Sequence, residues 1–239
     1  MDSKTTLSCP GSRSMVNYQN SRPRILIADD HTLFLELLRC FIEKKYAVIG
    51  TVADGRSLLA EALKLKPDLI IIDVGMPLLN GLEAARRIRN ELPNVRLVFL
   101  TMSADPNLAA AALDLGHAGF VLKHAAGTEL LTAIEQVWHG KSYVSPRLKP
   151  VDWVEQRARV NHFTRSLTSR QCEIVQLFAE GYCLKEIAAH LNLSPKTIEF
   201  HKHQIMVDFN LISNADLVLL AVKEGLISVD RGVPAYRAS

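Results

Sequence analysis

The sequence lacks most of the features that would narrow its chemistry at once. Its four cysteines, Cys9, Cys40, Cys172 and Cys183, form no CxxC pair and no His/Cys cluster at zinc spacing. That argues against a zinc module and for free thiols in a reducing compartment. No apolar run approaches the ~18–20 residues of a membrane-spanning helix, and the N-terminus lacks the apolar stretch of a signal peptide. A cytoplasmic protein that makes no use of a membrane is expected. There is no internal repeat and no basic tail. The net charge is only +3, and residues 162–239 carry 8 charges of each sign. Binding to a polyanion would therefore depend on the local placement of charge.

What is present is a strong alternation. Residues 1–23, rich in Ser, Asn, Thr and Arg, predict a disordered N-terminal extension. From Arg24 the chain alternates short apolar runs with segments of helical spacing: "RILIADD", "HTLFLELLRCFIEKK", "YAVIGTVAD", "GRSLLAEALKLK", "DLIIIDV", "GLEAARRIRNEL", "VRLVFLTM", "NLAAAALDLG", "AGFVLK", "GTELLTAIEQVWHG". Five β/α units with continuously apolar strands predict a doubly wound α/β domain over 24–140, its parallel sheet covered on both faces. In the first helix the apolar positions are Leu33, Leu37, Leu38, Phe41 and Ile42. The Ala-rich helix at 108–115 could offer a dimer face or simply pack internally. Residues 141–163 read as an interdomain linker with a short helix in "VDWVEQRARV". Residues 164–229 read as an all-α domain and 230–239 as a tail.

The polar residues that end the strands carry the chemistry. They are Asp29 and Asp30, Asp73, Thr101 and Lys123. Parallel strands bring their C-terminal ends to one edge, so these residues should converge on one pocket. Clustered carboxylates persist when a cation or a proton neutralises them. Oxygen-only ligation points to a hard divalent ion, Mg²⁺ where phosphate is handled. The set suits phosphoryl transfer to a carboxylate, with Asp73 as acceptor and Thr101 and Lys123 holding the added oxygens. His31 is expected to open the first helix facing solvent. A phosphatase-type hydrolase with Asp73 as nucleophile would ordinarily carry a second acid two residues on, where this chain has Gly75.

The stretches "ADDH", "IIDVGMPLLNG", "FLTMSA" and "GFVLK" resemble the receiver domain of bacterial response regulators. The resemblance implies a flavodoxin-like strand order, 2-1-3-4-5. It implies that Asp73 is phosphorylated by a sensor histidine kinase, and that Asp29, Asp30, Asp73 and the Gly75 carbonyl bind Mg²⁺. It also implies that Thr101 and Phe120 reposition on phosphorylation, with Lys123 as phosphate partner. Gly75 and Ser103, at the expected pocket mouth, supply no group to orient an attacking water. A fairly long-lived aspartyl-phosphate is expected, with no enzyme activity beyond the domain's own phosphoryl transfer and slow dephosphorylation.

The C-terminal segment divides into four helices. Thr168 or Ser169 opens the first, with Glu173 placed for helix N-terminal interactions. "LKEIAAHL", the turn "NLS" and a longer helix from Ser194-Pro195 make a helix-turn-helix. A fourth helix is expected to be capped by Asn214. "LTSRQCEIVQLFAEG", "KEIA" and "LNLSPKTI" resemble the LuxR-type DNA-binding domain, and the whole chain resembles a NarL/FixJ-type response regulator. On the helix "SPKTIEFHKHQIMVDF", spacing at 100° per residue places Ile198, Ile205 and Phe209 inward, with His201 and Met206 at the edges of that stripe. Lys196, Glu199, Phe200, His203, Gln204 and Val207 lie on the opposite face.

The expected DNA-contacting residues are Arg170, Lys185, Lys196, Thr197, Glu199, Phe200, Lys202, His203 and Gln204. The cations would grip phosphates and the others read bases. Expected partners are a sensor histidine kinase, double-stranded DNA and a second copy on phosphorylation, with RNA polymerase a further candidate. The alternative is a phosphorylation-switched regulator whose helical domain binds protein and not DNA.

Overall fold

The computed structural model describes residues 22–148 and 167–227. Nearly all of the expected N-terminal extension, the short helix expected in the linker and the C-terminal tail lie outside the described residues. The first region runs β1 (Arg24–Ala28), α1 (Thr32–Glu43), β2 (Ala47–Val52), α2 (Gly55–Leu65), β3 (Leu69–Asp73), α3 (Gly81–Glu91), β4 (Arg96–Thr101), α4 (Pro106–Leu113), β5 (Ala118–Leu122), α5 (Ala126–Trp138) and β6 (Tyr143–Val144). All strand pairs are parallel, in the order β2-β1-β3-β4-β5-β6.

The central strands are apolar throughout because alternate side chains enter two different layers. Ile25, Ile27, Leu69, Ile71, Val98 and Val121 pack with Leu38 and Ile42 of α1 and Leu130 and Ile134 of α5. Leu26, Ile70, Ile72, Leu97, Phe99 and Phe120 pack on the other face with α2, α3 and α4. The strand order reverses between β1 and β3, which opens a crevice at their C-terminal ends.

Two expectations are corrected here, and one left open is decided. The linker does not begin at residue 141. Tyr143 and Val144 pair with Gly119 and Phe120 as a sixth strand, and Leu148 is buried in the core. The fully buried Ser145 accepts a 3.0 Å hydrogen bond from Leu122 N. Two residues are too few for a strand to announce itself by alternation. On α1, Leu33 and Leu37 face outward, 73% and 60% exposed, while Leu38 and Ile42 are buried. On α4, Ala109, Ala110 and Ala112 are buried, which makes the small residues internal packing and not an open face.

The second region is α6 (Ser169–Ala179), α7 (Leu184–Leu191), α8 (Pro195–Asp208) and α9 (Asn214–Lys223). Thr168 caps α6, and Gln171, not Glu173, completes the capping box. Ser213, not Asn214, caps α9, with Asp216 closing its box. α7 ends at Asn192 in the left-handed conformation (φ 52°), and the turn 192–194 leads into Ser194, whose hydroxyl caps α8. Ile174, Val175, Leu177, Ile187, Ile198, Ile205, Leu217 and Ala221 form the core of this region.

Candidate functional site: an acidic pocket and an exposed reading helix

The five strand-end residues do converge. Asp29 is fully buried, and Asp73 and Thr101 are each 4% exposed. The Lys123 ammonium lies 2.8 Å from Asp29 Oδ2 and 2.8 Å from Asp73 Oδ2. Asp73 Oδ1 accepts a 3.2 Å hydrogen bond from Gly75 N, so both oxygens of that carboxylate are held. Thr101 Oγ1 accepts from Ser103 N at 3.0 Å. The Phe34 ring on α1 sits 5.1 Å from the lysine ammonium. Gly81 is required because a Cβ there would come within 2.1 Å of the Asp73 carbonyl oxygen. The chain after Asp73 must therefore turn back tightly against it.

Burial pushes the Asp73 carboxyl above its usual range. Lys123 opposes that shift, and the neighbouring Asp29 reinforces it. Ligand atoms of Asp29, Asp30, His31 and Asp73 lie within 4.8 Å of one another. One lysine is left to offset several buried or half-buried carboxylates, and this excess of negative oxygen suits a hard divalent cation. His31 is solvent-exposed at the N-cap position of α1, as expected, but leans inward: its Nδ1 is 3.1 Å from Asp30 Oδ1. Gly75 and Ser103 line a cavity of about 330 Å³ beside Asp73, Thr101 and Lys123. Phe120 is fully buried and turned into the core.

The helix-turn-helix also takes the expected form. Ile198 and Ile205 are fully buried, and Met206 and Phe209 pack at the edge of the core. Lys196, Glu199, His203 and Gln204 are exposed, as are Phe200 and Val207 at 57% and 59%. His201 is half-buried and lies edge-on to Phe200. Lys185 is exposed, and the Lys202 ammonium lies 5.1 Å from the Phe178 ring.

Two of the expected DNA contacts have internal duties. Arg170 donates to the Leu191 carbonyl at 3.0 Å and pairs with Glu173 at 3.1 Å, which places it at the end of α7 and off the reading face. The Thr197 hydroxyl is 2.8 Å from the capping hydroxyl of Ser194. The Cys172 thiol is pushed up to about 12, chiefly by burial, which makes it unreactive. Among the described residues Cys40, Cys172 and Cys183 are free.

Sequence reasoning missed one group altogether. Gln176 on α6 and Glu180, just after its end, bond the loop that follows Asp73. Glu173 faces Arg87 and Arg56 of the first region. No pattern in the sequence marks contacts between residues about a hundred positions apart.

Residues 25–135 match the response regulator receiver domain. Residues 165–221 match the bacterial regulatory proteins of the luxR family. The chain is 34% identical over 216 residues to the oxygen regulatory protein NreC of Staphylococcus carnosus, covering 85% of this chain and 99% of that protein. It is 30% identical over 212 residues to the response regulator GacA of Pseudomonas aeruginosa, covering 85% and 97%. Among solved structures, RcsB of Salmonella typhimurium is similar at 27% identity with a TM-score of 0.59, covering 85% of this chain and 98% of that one. RcsB of Salmonella enterica serovar Typhimurium bound to promoter rprA with the phosphomimetic BeF3- is similar at 29% identity and a TM-score of 0.56, covering 82% and 97%. With a receiver pocket at one end and a luxR-type helix-turn-helix at the other, the chain belongs to the NarL/FixJ-type response regulators.

Proposed function

We propose that Asp73 accepts a phosphoryl group from a phosphohistidine of a sensor kinase, and that this controls dimerisation and sequence-specific DNA binding in the cytoplasm. The observation that carries the reading is the buried Asp73 carboxylate held 2.8 Å from Lys123 at the crevice edge. In the transfer an Asp73 oxygen forms a new P–O bond while the donor P–N bond breaks, the imidazole leaving with the electron pair and taking up a proton. Lys123 offsets charge on the transferred group, and Thr101 donates its hydroxyl to one of that group's oxygens. Asp29, Asp30, Asp73 and the Gly75 carbonyl would hold Mg²⁺, which when bound supplies further neutralisation of the phosphoryl charge. Thr101 and Phe120 are the residues whose positions follow the modification.

Because Gly75 and Ser103 at the mouth offer no carboxylate or amide to orient water, the aspartyl-phosphate is long-lived. Gly75→Asn or Ser103→Glu should therefore shorten its lifetime. Catalysis is limited to this self-modification. In the DNA complex Lys185, Lys196 and Lys202 contact phosphates. Glu199 accepts from a cytosine N4, Phe200 meets a thymine methyl, and His203 and Gln204 reach purine edges. RNA polymerase is a downstream partner in this reading.

The test is incubation with acetyl phosphate and Mg²⁺, followed by mass spectrometry and DNA selection. One phosphoryl group should appear on the peptide containing Asp73 and be absent in Asp73→Ala. Glu199→Ala should lose the preference for cytosine at one position. The zero formal charge of residues 194–209 favours a second reading, in which the helical domain binds a protein. Failure to select any DNA at low salt would support it.

A further inference from the structure

The backbone rung that precedes Lys123 is closed by a residue from outside the five β/α units. β6 ends at Val144, which pairs with Phe120. Two positions further along β5, Leu122 is 1% exposed, and its N–H points to the same edge. A buried N–H without an acceptor is costly. Because β6 has already ended, a side chain and not a strand carbonyl meets it. The Ser145 hydroxyl oxygen accepts from Leu122 N at 3.0 Å, and Ser145 N donates to the Phe120 carbonyl at 2.9 Å. One fully buried residue therefore holds both ends of the segment 120–122 on that edge. On the opposite edge Leu122 pairs with Thr101 of β4.

The Ser145 hydroxyl is itself oriented. A hydroxyl has one proton to give and two lone pairs. Ser145 gives its proton to the Glu129 carboxylate, in the first turn of α5, which leaves a lone pair for Leu122 N. A hydrogen bond to an ionised group is the stronger kind, so the hydroxyl does not rotate away freely. The Tyr143 phenol lies beside the same carboxylate. Burial, and then the charge of Glu129, holds that phenol above its usual range, so it stays protonated. The Ser145 carbonyl accepts from Leu148 N at 2.9 Å, and Leu148 is buried in the core.

Lys123 is the next residue in the chain. Its ammonium lies 2.8 Å from both Asp29 and Asp73, at the end of a side chain only 7% exposed. From Lys123 the backbone enters a 3₁₀ turn, Lys123–Ala125, so Leu122 is the last residue fixed as strand. A flexible four-carbon stem keeps its geometry only if its anchor is fixed, and a shift of about 1 Å can slow a reaction greatly. We propose that Ser145, oriented by Glu129, is a positioning residue for phosphoryl acceptance. It fixes the backbone from which Lys123 reaches the two carboxylates and the incoming phosphoryl group. It touches no reacting atom and acts through Lys123. The inference rests on Asp73 as the acceptor and Lys123 as its phosphate partner.

The test is a double-mutant cycle in the full chain. The rate of phosphoryl incorporation from acetyl phosphate at saturating Mg²⁺ is measured in wild type, Ser145→Ala, Lys123→Ala and the double variant. Binding of the phosphomimetic BeF3- with Mg²⁺ is measured in wild type and Ser145→Ala. Ser145→Ala should slow incorporation by about tenfold, the effect of leaving one buried donor unpaired, and weaken BeF3- binding by a similar factor. Affinity for Mg²⁺ alone should not fall. In the Lys123→Ala background the same substitution should change the rate by less than about twofold. A tenfold loss in that background as well, or an unchanged rate in folded Ser145→Ala, overturns the proposal. If Ser145→Ala does not fold, Glu129→Ala releases the hydroxyl and should act in the same direction. Glu129→Gln, which keeps an acceptor oxygen, should stay closer to wild type; equal rates in wild type and both Glu129 variants overturn the proposal. No incorporation in wild type overturns the assignment of Asp73 itself, and so separates the two failures.

Discussion

The acidic pocket and the exposed helix of the helix-turn-helix use charge in opposite ways. In the pocket, Asp29, Asp73 and Lys123 are almost completely withdrawn from water. Coulomb interactions there are only weakly screened, and each group is fixed by the others. On α8, Lys196, Glu199 and His203 stand in solvent, where single charges are worth little until a partner excludes the water. The pocket is therefore preorganised for one chemistry, and removing one member should disable it. The helix is preorganised only in its backbone and buried stripe, and its specificity depends on what it meets.

The comparison can be broken in several places. The largest effect is expected from Lys123→Ala, which leaves Asp29 and Asp73 facing each other without their shared cation. Phosphoryl acceptance from acetyl phosphate should fall by about 10²-fold or more; a rate within a few-fold of wild type would mean the lysine only packs. Next, Ile205→Ala empties a fully buried site in the helical core and should lower the stability of that domain by about 2–5 kcal/mol. Denaturant unfolding with domain-specific probes would check this. Undiminished acceptance at Asp73 in the folded variant would show that the pocket is independent of that core.

Asp73→Asn should act in the opposite direction, raising the urea midpoint of the metal-free receiver at neutral pH. Burial and Asp29 hold the Asp73 carboxyl above its usual range in the folded state. Its contribution to stability is therefore present in acid and lost as pH rises through the folded-state value. The asparagine variant escapes that loss, so its advantage should vanish in acid; equal urea midpoints at neutral pH would contradict the account. The smallest effect is expected from Arg170→Ala. It should remove the tie to the Leu191 carbonyl and cost a little domain stability while leaving the salt dependence of DNA binding unchanged. Lys196→Ala should reduce that dependence.

Much of this was legible in the sequence because parallel strands translate position directly into place. A polar residue ending an apolar run must reach the common edge, so Asp29, Asp73, Thr101 and Lys123 could be set together from the pattern alone. The reading face of α8 followed from helical periodicity, with Ile198 and Ile205 inward. What failed was whatever depends on a partner remote in sequence. Arg170 reads as a free cation until the Leu191 carbonyl and Glu173 are seen to hold it. Leu33 and Leu37 share a helical stripe with buried residues and yet face solvent. Glu173 looks like a helix-end acid until Arg87 and Arg56 approach it from the other domain. The sixth strand is too short to carry an alternation, and its identity comes from Ser145 and Leu148 locking onto β5 and the core.

The central claim is that Asp73 controls what the exposed helix does. The most direct measurement is binding of the full chain to a selected DNA site, with and without acetyl phosphate and Mg²⁺, in wild type and Asp73→Ala. The account predicts that the phosphoryl donor tightens or makes cooperative the binding of wild type and leaves Asp73→Ala unchanged. An equal response in both proteins, or none in a wild type shown by mass to be phosphorylated, would contradict it.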